Sequence, residues 1–280
     1  MPYEALIAVL LGAVLHASWN AAIKSGRNKL FDTVLVSGGS ALISAAAIPF
    51  LPIPAADSLP YLACSAALQV FYCLLLAAAY RTGDMSHAYP LMRGTAPLIV
   101  AVASGGLLGE TLSAAGWAGT LLICGGVLTL ALARRGGGAP AASTGFALVN
   151  AVLIAGYTVI DGKGVRLSGA PVAYVLWLNL CSGLALAAWA LWRHPRSLSR
   201  HAASRWRVGL GGGFCTLASY GLALWAMTLA PIATVAALRE TSILFGMALA
   251  ALVIKERVGP ARLASGVVIA LGAATLRLAG

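Results

Sequence analysis

Charged side chains are scarce in this sequence: Asp, Glu, Lys and Arg make up 10% of its 280 residues, and only 8 of them are acidic. Soluble domains carry about 25% charged residues. With 60% of the residues hydrophobic, the apolar surface is too large to be hidden in one soluble core, and a soluble domain is excluded. Clustered chemistry is missing as well. The cysteines Cys64, Cys73, Cys124, Cys181 and Cys215 all lie inside apolar segments, at no metal-ligand spacing and in an odd number. The four histidines are scattered and the acids are dispersed, with no HxxH or DxxD spacing. We therefore expect no metal, no cofactor and no enzymatic acid pair or activated nucleophile. The net charge of +11 is spread between apolar segments and gathers on no single face, so no nucleic-acid partner is expected. The first run begins at Glu4, without a basic lead-in or a clean cleavage pattern, and reads as a membrane span rather than a signal peptide.

What remains is a series of long apolar runs. A helix needs roughly 20 apolar residues to cross the hydrocarbon. Ten runs qualify, at approximately 4–24, 32–50, 58–80, 85–108, 113–133, 144–162, 171–193, 207–228, 231–253 and 260–278. They are rich in Ala, Leu and Gly and do not alternate with period 2, which predicts helices rather than barrel strands. The fold class is all-α integral membrane, with the lipid bilayer as solvent. Two links stand out: the basic "RHPRSLSRHAASRW" (193–206) and the Gly/Pro/Ala-rich "RRGGGAPAAS" (134–143) at mid-chain. The second divides the chain into units 1–135 and 143–280 joined by a linker at 136–142.

The basic residues are unevenly shared between the two sides. Lys24, Arg27 and Lys29, Arg81, Arg134 and Arg135, the five arginines from Arg193 to Arg207, Lys255, Arg257 and Arg262 fall on one side; Lys163, Arg166 and Arg277 fall on the other. The positive-inside rule makes the first side cytoplasmic and places both termini opposite.

The halves repeat. Arg93 and Arg239, Thr95 and Thr241, and Glu110 and Glu256 share one spacing, and "AVLHASWN" (13–20) aligns with "AVLIAGYT" (151–158), Trp19 facing Tyr157. Five helices per unit is an odd number, so the second unit must cross in the opposite sense. Inverted repeats of this kind place a substrate site near the midplane between them. A monomer with a central cavity and a small-molecule substrate is expected.

Arg93 lies about eight residues into its span, ~12 Å deep at 1.5 Å per residue, and Arg239 is at similar depth from the other side. A charge there costs about 2.5–3.5 kcal/mol on insertion scales and usually faces the bundle interior. Adjacent residues do not face each other on a helix, so Glu240 is not the partner of Arg239. Glu240 could reach Arg93 across the repeat interface and leave Arg239 free to hold a substrate carboxylate or phosphate; alternatively all three groups form a network with backbone carbonyls and bind nothing. Pro97 and Pro90 free the carbonyls of Arg93 and Ser86, which suggests a broken helix or a bridged kink. Trp19, Asn20, His87, Tyr89 and Tyr157 lie at or near the same layer, suited to stacking on or hydrogen-bonding an organic substrate, or to interfacial anchoring for Trp19 and Tyr157. The substrate-binding candidates are thus Trp19, Asn20, His87, Tyr89, Arg93, Tyr157, Arg239 and Glu240.

The motifs "HASWNAAIK" (16–24), "YPLMRGTAP" (89–97) and "ALRETS" (237–242), with "LLGETL" (107–112) and "VIKERVG" (253–259) ending the fourth and ninth spans, resemble the EamA-type branch of the drug/metabolite transporter superfamily over nearly the whole chain. The resemblance implies ten helices in two inverted repeats and export of small metabolites across the cell inner membrane. Within the branch it is nearest to amino-acid exporters of the YddG type, with phosphonates or phosphorylated metabolites as the alternative cargo. Such relatives keep their termini in the cytoplasm, whereas the charge distribution here argues otherwise. Small multidrug relatives carry a proton-coupling Glu in the first helix. The first span here, 5–22, has no carboxylate, which predicts uncoupled transport.

Overall fold

With no water in the hydrocarbon to satisfy backbone N–H and C=O groups, each crossing must be a helix. The computed structural model describes residues 1–24, 26–82, 85–132, 141–252, 255 and 259–278. Its helices are α1 (Tyr3–Lys24), α2 (Lys29–Ala47), α3 (Leu59–Thr82), α4 (Met85–Leu108), α5 (Ala114–Leu132), α6 (Ala141–Leu167), α7 (Pro171–Arg193), α8 (Pro195–Met227), α9 (Ile232–Arg239), α10 (Ser242–Leu252) and α11 (Pro260–Leu278). Ten spans are long and apolar enough to cross a membrane, with α9 and α10 forming the ninth. The first repeat is α1–α5 and the second α6–α11, so the two run in opposite senses. The expected linker lies largely among residues 133–140, outside the described residues, as does Glu256; α6 starts at Ala141, inside the 136–142 window.

Three sequence expectations shift. The basic link 193–206 is largely helical, because α8 starts at Pro195 and bends at Arg205 (φ −128°, ψ 20°). Its Leu198 packs with Val34, Leu186 and Ala190. Asp32, fully buried at the start of α2, accepts from His201 Nε2 (2.9 Å) and Arg205 Nε (2.8 Å). Secondly, α6 continues to Leu167, beyond the expected end at 162. Thirdly, α4 runs unbroken through Pro90 and Pro97. The break is in the ninth span instead, at Glu240–Thr241, where no proline stands. There the bonding tightens to Glu240 N→Ala237 O and Thr241 N→Leu238 O, both 3.0 Å.

The helices meet in two sets. α2 packs on α7 and α8, and α1 on α8; α3 and α4 pack on α6, α4 on α5, and α5 on α11. Without a hydrophobic drive between helices in lipid, close approach depends on small residues. The stretches "SGGS" (37–40) and "GLGGGF" (209–214) supply it: a Cβ on Gly39 would lie 2.1 Å from the Gly209 carbonyl oxygen, and one on Gly213 2.5 Å from Ser40 N. Gly39→Val must therefore push α2 off α8. Overpacking of this kind costs about 1–3 kcal/mol or more, and a lowered unfolding midpoint of the purified protein in detergent is the expected result.

Candidate functional site

The basic end is shaped by helix-end chemistry. Asn28 Oδ1 accepts from Phe31 N at 3.1 Å and caps α2. Lys29 Nζ folds back on the end of α1, donating to Gly26 O at 2.9 Å, where a cation meets the negative end of the helix dipole. This turn forms the mouth of a cavity of about 490 Å3. Arg27, Asn28 and Lys29 rim it, and walls from α1, α2, α3, α4, α6, α7, α8 and α9 lead inward to Arg93 and Arg239. No residue of the opposite-end connections 51–58, 109–113, 168–170 or 228–231 lines it.

At the floor, the charges sort as one of the two sequence readings proposed. Arg93 and Glu240 are 6% and 3% exposed. They form a two-pronged ion pair across the repeats, Nε to Oε2 at 2.9 Å and Nη2 to Oε1 at 2.7 Å, the second prong lying outside hydrogen-bonding direction. One charge-assisted hydrogen bond and a second close charge contact thus hold the two groups together. Arg239 takes no part in it. Its guanidinium carbon sits 5.0 Å from the Tyr220 ring centroid, and among the described residues it has no ion pair.

Of the eight candidate residues, six share the cavity wall: Trp19, Asn20, Tyr89, Arg93, Tyr157 and Arg239. Trp19 stands edge-on to His16 at 5.0 Å between ring centroids, and its Nε1 has no partner. Asn20 Nδ2 donates to His16 O (2.9 Å), and Tyr89 Oη lies 3.5 Å from His16 Nε2. Tyr157 stands edge-on between Tyr72 (6.0 Å) and Tyr220 (6.3 Å), so it belongs to the wall and not to an interfacial belt. Glu240 lies behind the wall as the partner of Arg93. His87 is also outside it: Nδ1 lies 3.4 Å from Ala131 O and Nε2 3.2 Å from Thr144 Oγ1, which ties α4 to α5 and α6.

The sequence reading missed several wall residues: Gln69, Tyr72, Asn179, Thr216 and Tyr220. The expected span 144–162 would put Asp161 next to its end, whereas Asp161 is fully buried one layer behind the wall. It accepts hydrogen bonds from Tyr174 Oη (3.0 Å), from Gln69 Nε2 (3.3 Å) and from Tyr220 Oη, and so ties α6 to α3, α7 and α8. Tyr220 thus touches both the carboxylate behind it and the cation in front of it. The only available signal was Tyr220 itself, a hydroxyl deep in an apolar run.

The opposite end is closed by a second ionic device. Glu110 pairs with Arg166 and accepts from Ile232 N at 2.8 Å, capping α9. Arg166 in turn donates to Met227 O (2.7 Å) and Ala230 O (3.0 Å) at the end of α8. An anion at a helix start and a cation at a helix end both complement the orphan groups there. Ala55 N→Ser168 O (2.9 Å) joins the two remaining connections. Between this seal and the cavity lies a core that includes Val9, Tyr174, Leu224, Met227 and Ile232.

No curated protein matches this chain. A solved crystal structure covers 99% of this chain and 98% of its own, with a TM-score of 0.78 at 20% identity, a likeness of fold. The model of the EamA-like transporter family matches residues 4–132 and again 143–278, one match per five-span repeat. A cavity between two inverted repeats, closed at one end by Glu110 and Arg166, is thus the work of a membrane transporter, and this chain belongs to the EamA-like transporter family.

Proposed function

We propose that this protein is an inner-membrane exporter of small organic metabolites, amino acids first among them, working as a monomer by alternating access. The observation that carries this reading is Arg239, a cation without an ion-pair partner among the described residues, presented on Tyr220 inside a cavity lined as far as the Arg27–Lys29 turn but by none of the opposite-end connections. Aromatic walls beside a positive group suit a carboxylate with an apolar side chain, as in YddG-type amino-acid export. The mouth lies among Arg27, Asn28 and Lys29, at the end the positive-inside rule makes cytoplasmic. The cavity then faces the cytoplasm, both termini lie outside, and export requires the Glu110–Arg166 seal to part while the mouth closes. Transport is uncoupled on this reading, because no Asp or Glu is among the described lining residues. The cations at the mouth favour one second reading, phosphorylated metabolites or phosphonates.

Counterflow into proteoliposomes, run against amino acids, phosphorylated metabolites and phosphonates, tests the assignment. Accumulation of a labelled amino acid without any imposed gradient is expected. Uphill flux driven by a pH gradient overturns the uncoupled mechanism, and counterflow of phosphorylated compounds alone replaces the cargo.

A further inference from the structure

The acids of the sequence can be followed one by one. Glu240 is committed to Arg93, Asp32 to His201 and Arg205, and Glu110 to Arg166. Asp161 is enclosed behind Gln69 and Tyr220. Glu4 begins α1 and Asp57 precedes α3, both at the sealed end. Asp84 and Glu256 fall outside the described residues. No carboxylate therefore opens on the cavity among the described residues, while Arg27, Lys29, Arg93 and Arg239 all do.

We propose that the cavity selects organic anions that carry no ammonium group, holding the acid on Arg239 and the apolar body against Trp19, Tyr72 and Tyr157. The proposal rests on the transporter reading above and departs from its first cargo, setting acids without an ammonium ahead of amino acids. An amino acid's ammonium is attached to the carbon next to its carboxylate. If the carboxylate sits on Arg239, the ammonium is held within the field of Arg239 itself, and no described wall carboxylate offsets the repulsion. A buried charge needs a partner, and like charge brought together in an enclosed site is a strong ground for rejection. The aromatic face nearest Arg239, the Tyr220 ring, is already covered by its guanidinium. An acid without the ammonium keeps the attraction and loses the repulsion. Two lining residues, Trp19 and Thr216, also carry buried polar atoms without partners, Nε1 and Oγ1.

The test is a pair of matched triplets titrated into the purified full-length protein by calorimetry: phenylalanine, 3-phenylpropionate and phenethylamine; and leucine, 4-methylpentanoate and 3-methylbutylamine. In at least one triplet the deaminated acid should bind at least tenfold more tightly than the amino acid. The monoamines should not bind, and Arg239→Gln, with an unchanged unfolding midpoint, should abolish the preference. Equal or tighter binding of the amino acid in every triplet overturns the inference and leaves the transporter reading standing. Binding that persists unchanged in Arg239→Gln, or any binding of a monoamine, also overturns it. If no member of any triplet binds, both the inference and the amino-acid reading fail together.

Discussion

Glu240→Gln is expected to destabilise the folded protein by about 3–5 kcal/mol, the usual result of removing one partner of a buried ion pair. The reason is Arg93. Arg93 is 6% exposed, and its Nε and Nη2 lie 2.9 and 2.7 Å from the Glu240 carboxylate, Nε as a hydrogen-bond donor. A neutral amide leaves that charge deep in the bundle with at best one weaker acceptor. Typical total stabilities are 5–15 kcal/mol, so a large fall in the yield of monodisperse protein should follow, together with a lowered unfolding midpoint. Arg93→Gln strands the carboxylate instead and should cost a similar amount. The double substitution, Arg93→Gln with Glu240→Gln, removes both charges and permits an amide–amide contact, so much of the loss should return. A double-mutant cycle on unfolding in detergent measures the coupling. A single Glu240→Gln protein as stable as the parent would show that the pair is dispensable to the fold.

Arg239→Gln is expected to behave in the opposite way, leaving stability nearly intact and weakening the substrate by roughly 30-fold or more. Its described contact is the stack on Tyr220, and a cation–π contact contributes about 0.5–2 kcal/mol. Losing the charged partner of an enclosed substrate carboxylate costs about 2–5 kcal/mol, and each 1.4 kcal/mol is about a factor of ten. Counterflow half-saturation and binding titrations both report it. Arg239→Lys should recover part of the affinity, because an ammonium keeps the charge but lacks the planar fork and the stacking face. A parental half-saturation in Arg239→Gln would remove Arg239 from the site.

The spans were legible because the bilayer imposes a length and a polarity on each crossing. The Arg93–Glu240 pair was legible as one of two alternatives because an isolated charge at that depth is so costly that a partner on another helix is required. The exclusion of Glu240 from pairing with Arg239 followed from helix geometry alone. What stayed hidden has equally specific causes. Asn179, Thr216 and Tyr220 are single polar residues in apolar runs, a pattern shared with ordinary helix packing. Asp161 was misplaced because apolarity fades after residue 162, while the helix continues to Leu167 under tertiary contacts. His87 has a composition suited to a wall, and only its contacts with Ala131 and Thr144 show that it faces other helices. The break was sought at the prolines of α4 and lies at Glu240–Thr241, where the backbone turns to bring Glu240 onto Arg93. Propensity cannot reveal a distortion whose cause is a partner on another helix.

The backbone contact between Gly39 and Gly209 joins a helix of the first repeat to one of the second, and Ser219 Oγ adds a donor to Gly12 O at 2.7 Å on α1. Main chains pressed this tightly do not slide. Any tilting that relocates the opening must carry α1, α2 and α8 together as one block, against a second block in which α3 and α4 ride on α6. Each packed block therefore draws helices from both repeats, so the duplication and the packing of the molecule divide it along different lines.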